Sequence, residues 1–173
     1  MEIIIKLDDL ACLDFEASGL SSRSWPIEVG LSWIEAGKVQ TWSSLIRPEP
    51  DWPDEAWSLA SAAVHAIPLA DLRAAPDAAS VAHDLLRVLG NRRLVSDAPE
   101  FERMWLARLM DVIGMTPFPP VSNFDMVSHL LFDGIALDIV YDTLAKDEAP
   151  HRAGPDSARL ARALLVAAQT KDV

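Results

Sequence analysis

The first 46 residues alternate between hydrophobic and polar positions in a way that predicts β-strands. Residues 1–6 are apolar and β-branched, so the point at which the first strand begins is left open. Residues 35–38 are predicted to form a hairpin turn between two alternating stretches. The predicted strands are residues 10–16, 27–34 and 39–46. The chain is therefore expected to begin with three antiparallel strands.

Farther along, apolar residues recur every three or four positions, which is the spacing of amphipathic helices. Asp54 is expected to cap the first helix, Gly90 to end the second and Pro155 to open the last. Residues 93–96 predict a fourth strand, and a strand pattern recurs weakly around Pro120. The predicted helices are residues 54–64, 76–89, 99–110, 123–132, 136–145 and 155–168. This order predicts an α/β fold with a mixed sheet flanked by helices.

Composition favours one ordinary globular domain over residues 1–173, since 50% of the residues are hydrophobic and 24% are charged. The single cysteine, Cys12, excludes an intrachain disulfide and favours a reducing compartment. No apolar stretch approaches the ~20 residues that a membrane-spanning helix needs. The expected location is the cytoplasm, with no membrane partner.

The charge balance limits the nucleic acids that the chain could bind. With 26 acidic residues against 15 basic ones, the formal net charge is −11. A protein that grips duplex nucleic acid normally has a basic face that neutralises phosphates. The sequence therefore favours short oligonucleotides or a partner protein over long duplex.

Two carboxylates, Asp14 and Glu16, end the apolar run of the first predicted strand. Side chains two positions apart in a strand point to the same face, so these two anions would converge and repel each other. A divalent cation bound by carboxylate oxygens is a common way to offset such repulsion. The alternative is a solvent-facing edge strand with an acidic face.

Other candidate residues follow in a fixed order. His151 precedes Asp156 by five residues at the start of the last helix, where Asp156 could equally be a structural cap. Asp97 ends the fourth predicted strand, and Glu102 lies in the helix after it. His65 lies in an apolar turn and is interpreted as a structural residue.

The order Asp14, Glu16, Asp97 or Glu102, His151 and Asp156 resembles the DEDDh family of 3′-to-5′ exonucleases, the group of the proofreading epsilon subunit, ribonuclease T and oligoribonuclease. The resemblance implies a ribonuclease H-like mixed five-stranded sheet flanked by helices. It also implies hydrolysis of phosphodiester bonds at the 3′ end of single-stranded or short RNA or DNA. The resemblance further implies a two-metal mechanism, in which two divalent cations, Mg²⁺ or Mn²⁺, take part in the hydrolysis.

By the same resemblance, Asp14, Glu16 and Asp156 hold the first ion, and Asp14 is shared with the second. His151 is the general base that orients or deprotonates the attacking water. Leu20 matches a leucine that packs against the terminal base in the family. The substrate-binding residues that the resemblance implies are Ser18, Gly19 and Leu20.

The third acid departs from the family pattern, which usually has an aspartate after an aromatic residue. Here Phe101 precedes Glu102, and Asp97 stands where many members have a histidine, so either acid could serve, with Glu102 favoured by alignment. The alternative function is a catalytically weak or inert domain that binds nucleic acid or a partner protein. The sequence leaves the oligomeric state open, with a homodimer as one candidate, since several relatives are dimers and the six Trp could line an interface.

Overall fold

A computed structural model describes residues 6–170, whose strands form one five-stranded sheet. The strands are β1 (Leu10–Ala17), β2 (Pro26–Glu35), β3 (Lys38–Leu45), β4 (Arg93–Ser96) and β5 (Val121–Asn123). Their order across the sheet is β3-β2-β1-β4-β5, with β1, β2 and β3 antiparallel and with β4 and β5 parallel to β1. The predicted mixed five-stranded sheet is confirmed. Residues 1–5 of the first apolar stretch lie outside the described residues, and β1 begins at Leu10.

The turn between β2 and β3 lies at the predicted position. Glu35 pairs with Lys38, so the loop contains only Ala36 and Gly37. Both loop residues have positive φ, 50° and 72°. Two-residue hairpins with positive φ at both positions have a backbone twist that matches the flanking strands. This tight turn fixes the register of β3 against β2.

Helices pack on both faces of the sheet. Within residues 6–170 they are α1 (Leu59–His65), α2 (Leu69–Ala74), α3 (Ala78–Leu89), α4 (Pro99–Asp111), α5 (Phe124–Leu131), α6 (Gly134–Lys146) and α7 (Ala153–Thr170). The helices predicted at residues 76–89, 99–110, 123–132 and 136–145 are confirmed within a few residues at each end. In this part of the chain, no helix combines the length and the apolar character that crossing a membrane requires.

The region before α3 differs from the prediction. Residues 54–56 form a separate 3₁₀ turn, and the Ser58 hydroxyl, rather than Asp54, caps α1 by accepting a hydrogen bond from the Ser61 N–H. Trp57 between them is extended because its ring packs against Trp25 and against His65. The short helix α2 was not predicted, since its six residues are too few for a helical pattern to be recognised in the sequence.

The last helix begins two residues earlier than predicted, at Ala153 rather than Pro155. Its first turn lies against β2, where Gly30 leaves room for close backbone contact. A Cβ atom on Gly30 would lie 2.0 Å from the Ala153 carbonyl oxygen, which is less than any real contact allows. The Ala153 N–H donates to the Glu28 carboxylate at 3.1 Å, so a side chain from β2 satisfies the start of the helix.

Alternate residues of β1 belong to two apolar cores. Leu13 and Phe15 pack into one core together with residues of α3 and α4. Leu10 and Cys12 pack into the other core, to which α7 contributes Leu160. The sheet is therefore covered on both faces, and each face of β1 has its own helical layer.

Candidate active site

Asp14 and Glu16 lie at the C-terminal end of β1, on the face that packs against α7. The strand alternation fixes this face, because Cys12, two residues before Asp14, lies in the core under α7. Both carboxylates are half-buried, whereas Leu10 and Cys12, the two residues before them on this face of β1, are apolar and buried. The two acids therefore stand where an apolar face of the sheet ends.

Asp156 in the first turns of α7 completes an acidic cluster. One carboxylate oxygen from each of Asp14, Glu16 and Asp156 lies within 4.8 Å of the others. Asp156 Oδ2 accepts a hydrogen bond from the Arg152 N–H at 3.0 Å. Asp156 Oδ1 is buried and has no hydrogen-bond partner among residues 6–170. The structure thus brings together the three residues predicted to hold an ion, and one buried oxygen there is free to bind a ligand.

Crowding and burial raise the pKa values of these carboxyl groups. Burial raises the pKa of Asp14 well above its usual range, and repulsion from Glu16 and Asp156 raises it further. Burial raises the pKa of Glu16 to about 7, with added repulsion from Asp156 and Glu28 and an opposing effect of Arg152. Burial likewise raises the pKa of Asp156. Without a cation, the cluster holds protons at pH values where isolated carboxyl groups are ionised.

Both candidates for the third acid lie close to this cluster. Glu102 on α4 is only 2% exposed, and its Oε2 has no hydrogen-bond partner within the described part of the chain. Burial, followed by repulsion from Asp14, raises the pKa of Glu102 well above its usual range. Asp97 is exposed just after β4, and its charge raises the pKa of both Asp14 and Glu102. The two acids therefore differ in burial rather than in access to the cluster.

A cavity of about 360 Å³ opens beside the carboxylates. The predicted site residues in its lining are Asp14, Glu16, Gly19, Leu20, Asp97, Glu102, His151 and Asp156. Three residues in the lining are apolar and exposed to solvent. The exposed fractions of Leu20, Val64 and Phe101 are 69%, 53% and 40%. The Phe101 ring stacks on Trp105 with 5.6 Å between ring centroids. The cavity thus combines an acidic cluster with an apolar wall, which we define as Leu20, Val64 and Phe101.

Ser18 occupies a different place from the other predicted substrate-binding residues. It is fully buried, and its hydroxyl accepts a hydrogen bond from the Trp25 N–H at 3.0 Å. Its carbonyl oxygen accepts another from the Ser58 N–H at 2.6 Å. Ser18 therefore supports the turn that presents Gly19 and Leu20, and it is not among the residues that line the cavity.

His151 is exposed in the loop before α7 and lines the cavity. Its backbone φ is 55°, in the left-handed region that residues other than glycine adopt uncommonly. The next residue, Arg152, is bound to the protein through both its side chain and its backbone N–H. The backbone of the predicted base is therefore held in one unusual conformation by its neighbours.

His65 is largely a structural residue, as interpreted from the sequence. Its Nδ1 accepts a hydrogen bond from the Ile67 N–H at 3.0 Å, and its ring packs edge-on against Trp57. Burial lowers its pKa, so the neutral ring carries its proton on Nε2. This Nε2 is buried without a partner in the range 6–170, and the residue lines the cavity. His65 therefore combines a structural role with a place in the cavity lining.

An ion pair at the edge of the cluster was missed by the sequence reasoning. The Glu28 carboxylate, 4% exposed, accepts hydrogen bonds from Arg152 Nε at 2.9 Å and Arg152 Nη2 at 2.8 Å. The two residues are 124 positions apart, so no local pattern connects them. The available signal was an acidic residue inside an otherwise buried alternating strand, together with an arginine next to the predicted base.

Comparison with known proteins gives structural matches only, since the chain matches no family model and no curated protein sequence. A full-length 3′-exonuclease has a TM-score of 0.69 at 16% identity, over 99% of this chain and 64% of that chain. A 3′-exonuclease described with 3′-end recognition of histone mRNA stem-loop has a TM-score of 0.63 at 16% identity, over 98% and 84% of the two chains. Exonuclease X in complex with 5′ overhanging duplex DNA has a TM-score of 0.59 at 22% identity, over 95% and 93%.

These likenesses establish the fold. The chain spans less than two thirds of the full-length 3′-exonuclease, at 64% of its length, and most of exonuclease X, at 93%. The chain therefore has the α/β fold of known 3′-exonucleases, as the resemblance in the sequence implied.

Proposed function

We propose that this chain is a metal-dependent 3′-to-5′ exonuclease that hydrolyses single-stranded or short RNA or DNA. The observation that carries the proposal is the cluster of Asp14, Glu16 and Asp156 oxygens within 4.8 Å, beside a cavity with an apolar wall. A fold shared with known 3′-exonucleases supports the same assignment.

The donor set fits two divalent cations, Mg²⁺ or Mn²⁺. All the donors are carboxylates, which hard cations prefer, and the buried oxygens Asp156 Oδ1 and Glu102 Oε2 have no partners within the described residues. In the proposal, Asp14, Glu16 and Asp156 hold the first ion, and Asp14 is shared with the second. Bound ions would make water more acidic and would stabilise negative charge on the leaving oxygen.

Glu102 is the preferred third acid. Its buried and unpaired Oε2 is costly unless a ligand binds it, whereas the exposed Asp97 is already solvated. The longer side chain of glutamate extends from α4 rather than from a strand. We therefore assign Glu102 to the metal site and leave Asp97 as a nearby charge.

His151 is the proposed general base. An imidazole exchanges protons near neutral pH, and this one lines the cavity in the loop that leads to Asp156. His151 takes the proton of the attacking water as oxygen bonds to phosphorus. The bond from phosphorus to the 3′ oxygen of the preceding nucleotide breaks, and that oxygen takes a proton from solvent to become a 3′ hydroxyl. The terminal nucleotide leaves with its 5′ phosphate.

The apolar wall is the proposed site for the terminal base. The exposed Phe101 ring provides an aromatic surface beside the carboxylates on which a nucleobase can stack, and exposed Leu20 adds aliphatic surface next to it. The charge of −11 disfavours long duplex and supports short or single-stranded substrates. A cytoplasmic location stays a prediction from the sequence, and a homodimer stays one candidate for an oligomeric state that the sequence leaves open.

The alternative is a catalytically weak or inert domain that binds nucleic acid or a partner protein. It is favoured by the glutamate at position 102, where the related pattern has an aspartate, and by the net charge of −11. The two functions differ in a simple assay, because only the first predicts metal-dependent shortening of an oligonucleotide.

A time course with 5′-labelled single-stranded RNA and DNA of matched sequence tests the proposal. The assay compares Mg²⁺, Mn²⁺ and EDTA for the wild-type protein and His151→Ala. We expect a ladder that shortens from the 3′ end, that EDTA abolishes and that the variant slows by roughly 10²-fold or more. Intact oligonucleotides in every wild-type lane would contradict the proposal and favour the alternative.

A further inference from the structure

Glu28 on β2 is a buried carboxylate that has no role in the proposed hydrolysis. Its side chain is about 5% exposed, and within residues 6–170 the hydrogen bonds to its carboxylate come from Arg152 and Ala153. Two of them are parallel bonds from the Arg152 guanidinium, and the third comes from the first backbone N–H of α7. Bidentate pairing of this kind fixes the orientation of both side chains. Glu28 therefore holds the two residues that follow His151.

Arg152 is held at both ends. Its guanidinium is bound to Glu28, while its backbone N–H donates to Asp156 Oδ2 at 3.0 Å. His151 immediately precedes it with a φ of 55°. A backbone in the left-handed region reverts to commoner conformations unless its surroundings hold it. The double attachment of Arg152 is what holds His151 there.

The start of α7 fits β2 at only one position. Glu28, Gly30 and Ser32 lie at alternate positions on one face of β2. A Cβ on Gly30 would collide with the Ala153 carbonyl at 2.0 Å, and Ser32 Oγ lies 2.9 Å from Ser157 Oγ. Close backbone contact and the hydroxyl pair thus fix the helix, and the Glu28–Arg152 pair fixes the loop that leads into it.

Arg152 also offsets charge at the edge of the cluster. Glu16 on β1 and Glu28 on β2 are directly paired across the two strands, where like charges repel. The Arg152 guanidinium bonds to Glu28, and its charge also acts on Glu16. The charge of one arginine therefore acts on both carboxylates, while the hydrogen bonds that position it run to Glu28.

We infer that Glu28 and Arg152 act as positioning residues that hold His151 in its reactive place beside the carboxylate cluster. The inference rests on the proposed role of His151 as general base. Neither residue needs to touch the substrate, because their effect passes through the backbone of the loop. The pair is expected to affect turnover rather than substrate affinity.

Steady-state kinetics of Glu28→Gln, Arg152→Met and the double variant test the inference. We expect kcat to fall roughly 10- to 100-fold in each single variant, with KM changed by less than about twofold, because a small misplacement of a catalytic group is costly. The double variant should be no slower than the slower single variant, since the two residues act as a unit. Arg152→Lys keeps the charge but loses the paired geometry, so it should retain more activity than Arg152→Met.

Arg87→Met is the matched control. Arg87 forms an ion pair with Asp84 at 3.0 Å on α3, with side chains 70% and 53% exposed, and neither residue lines the cavity. The kcat and KM of the Arg87→Met variant should equal those of the wild-type protein. If Arg152→Met unfolds because Glu28 is left buried and unpaired, the double variant, which removes both charges, carries the test.

Hydrogen exchange of residues 147–153 gives a readout that needs no activity. We expect faster exchange of this loop in Glu28→Gln and in the double variant than in the wild type, with unchanged exchange in β4. Unchanged loop exchange, an increase of KM alone, or additive losses in the double variant would each overturn the inference. An inactive wild-type protein would refute the proposed function, whereas the exchange data would still decide whether the pair holds the loop.

Discussion

The acidic cluster and the apolar wall are two parts of one cavity, and each is unfavourable for stability in the opposite way: the cluster buries ionisable groups, and the wall exposes apolar side chains. The cluster buries charge, so that the pKa of Glu16 rises to about 7 and Asp156 Oδ1 has no partner among residues 6–170. The wall does the reverse, since it leaves Leu20 69% and Phe101 40% exposed to water. Both features cost stability in the free protein, and a ligand with metal-bound phosphate at one end and a base at the other would relieve both.

Asp14→Asn tests the acidic side and should have the largest effect. Asp14 is central to the cluster and is the ligand proposed for both ions, so nuclease activity should fall by roughly 10³-fold or more. The measurement is the rate of nucleotide release with Mn²⁺. Asp84→Asn on the exposed face of α3 is the control and should keep the wild-type rate. An Asp14→Asn protein that retains a tenth of the activity would show that the cluster is not the catalytic centre.

The third acid is tested by comparing Glu102→Gln with Asp97→Asn. Glu102 is 2% exposed with an unpaired oxygen, whereas Asp97 is exposed, so the first change should slow nucleotide release roughly 10²-fold and the second less than 10-fold. The two rates are measured under the same metal conditions. The reverse order would assign the third acid to Asp97.

Phe101→Ala tests the apolar side. Stacking on an aromatic side chain contributes about 1–3 kcal/mol per base, so KM should rise roughly 5- to 100-fold while metal binding is unchanged. Leu130→Ala is the control, because Leu130 is an exposed apolar residue on α5 that does not line the cavity. If Phe101→Ala instead lowers kcat at an unchanged KM, the wall does not bind the base.

The pH dependence of stability measures the cost of the acidic side. Glu16 has a pKa of about 7 in the folded protein against an ordinary value of 4.5. The stability of the fold with protonated Glu16 is therefore fully present below a pH of 4.5 and is lost as pH rises through about 7. In EDTA, Glu16→Gln should therefore be more stable than the wild type at a pH of about 8, by on the order of 1–2 kcal/mol. The difference should shrink near a pH of about 5. Thermal unfolding at both pH values checks this, and a less stable variant at the higher pH would contradict it.

Much of the site could be predicted because its residues obey local rules. Asp14 and Glu16 follow the two-residue period of a strand, and His151 and Asp156 are close in sequence. The strands and most helices were predicted for the same reason, since their patterns depend on nearby residues. Local periodicity thus accounts for most of the strands and for the convergence of Asp14 and Glu16, whereas the placement of Asp156 and His151 beside them was implied by the family resemblance.

The remainder depends on contacts between distant residues. Glu28 and Arg152 pair across 124 positions, and the burial of Ser18 depends on its bonds to Trp25 and Ser58. The start of α1 was misplaced because Trp57 packs on other rings instead of continuing a helix. Tertiary packing decides these details, and no pattern within a short window contains them.

Calorimetric titration of the metal-free protein with Mn²⁺ at neutral pH tests the central claim most directly. The claim is that buried carboxylates form a cation site. We predict saturable binding to the wild type and to Asp84→Asn, and strongly weakened binding to Asp14→Asn. Wild-type protein that binds no Mn²⁺, or an Asp14→Asn protein that binds it as well as the wild type, would contradict the claim.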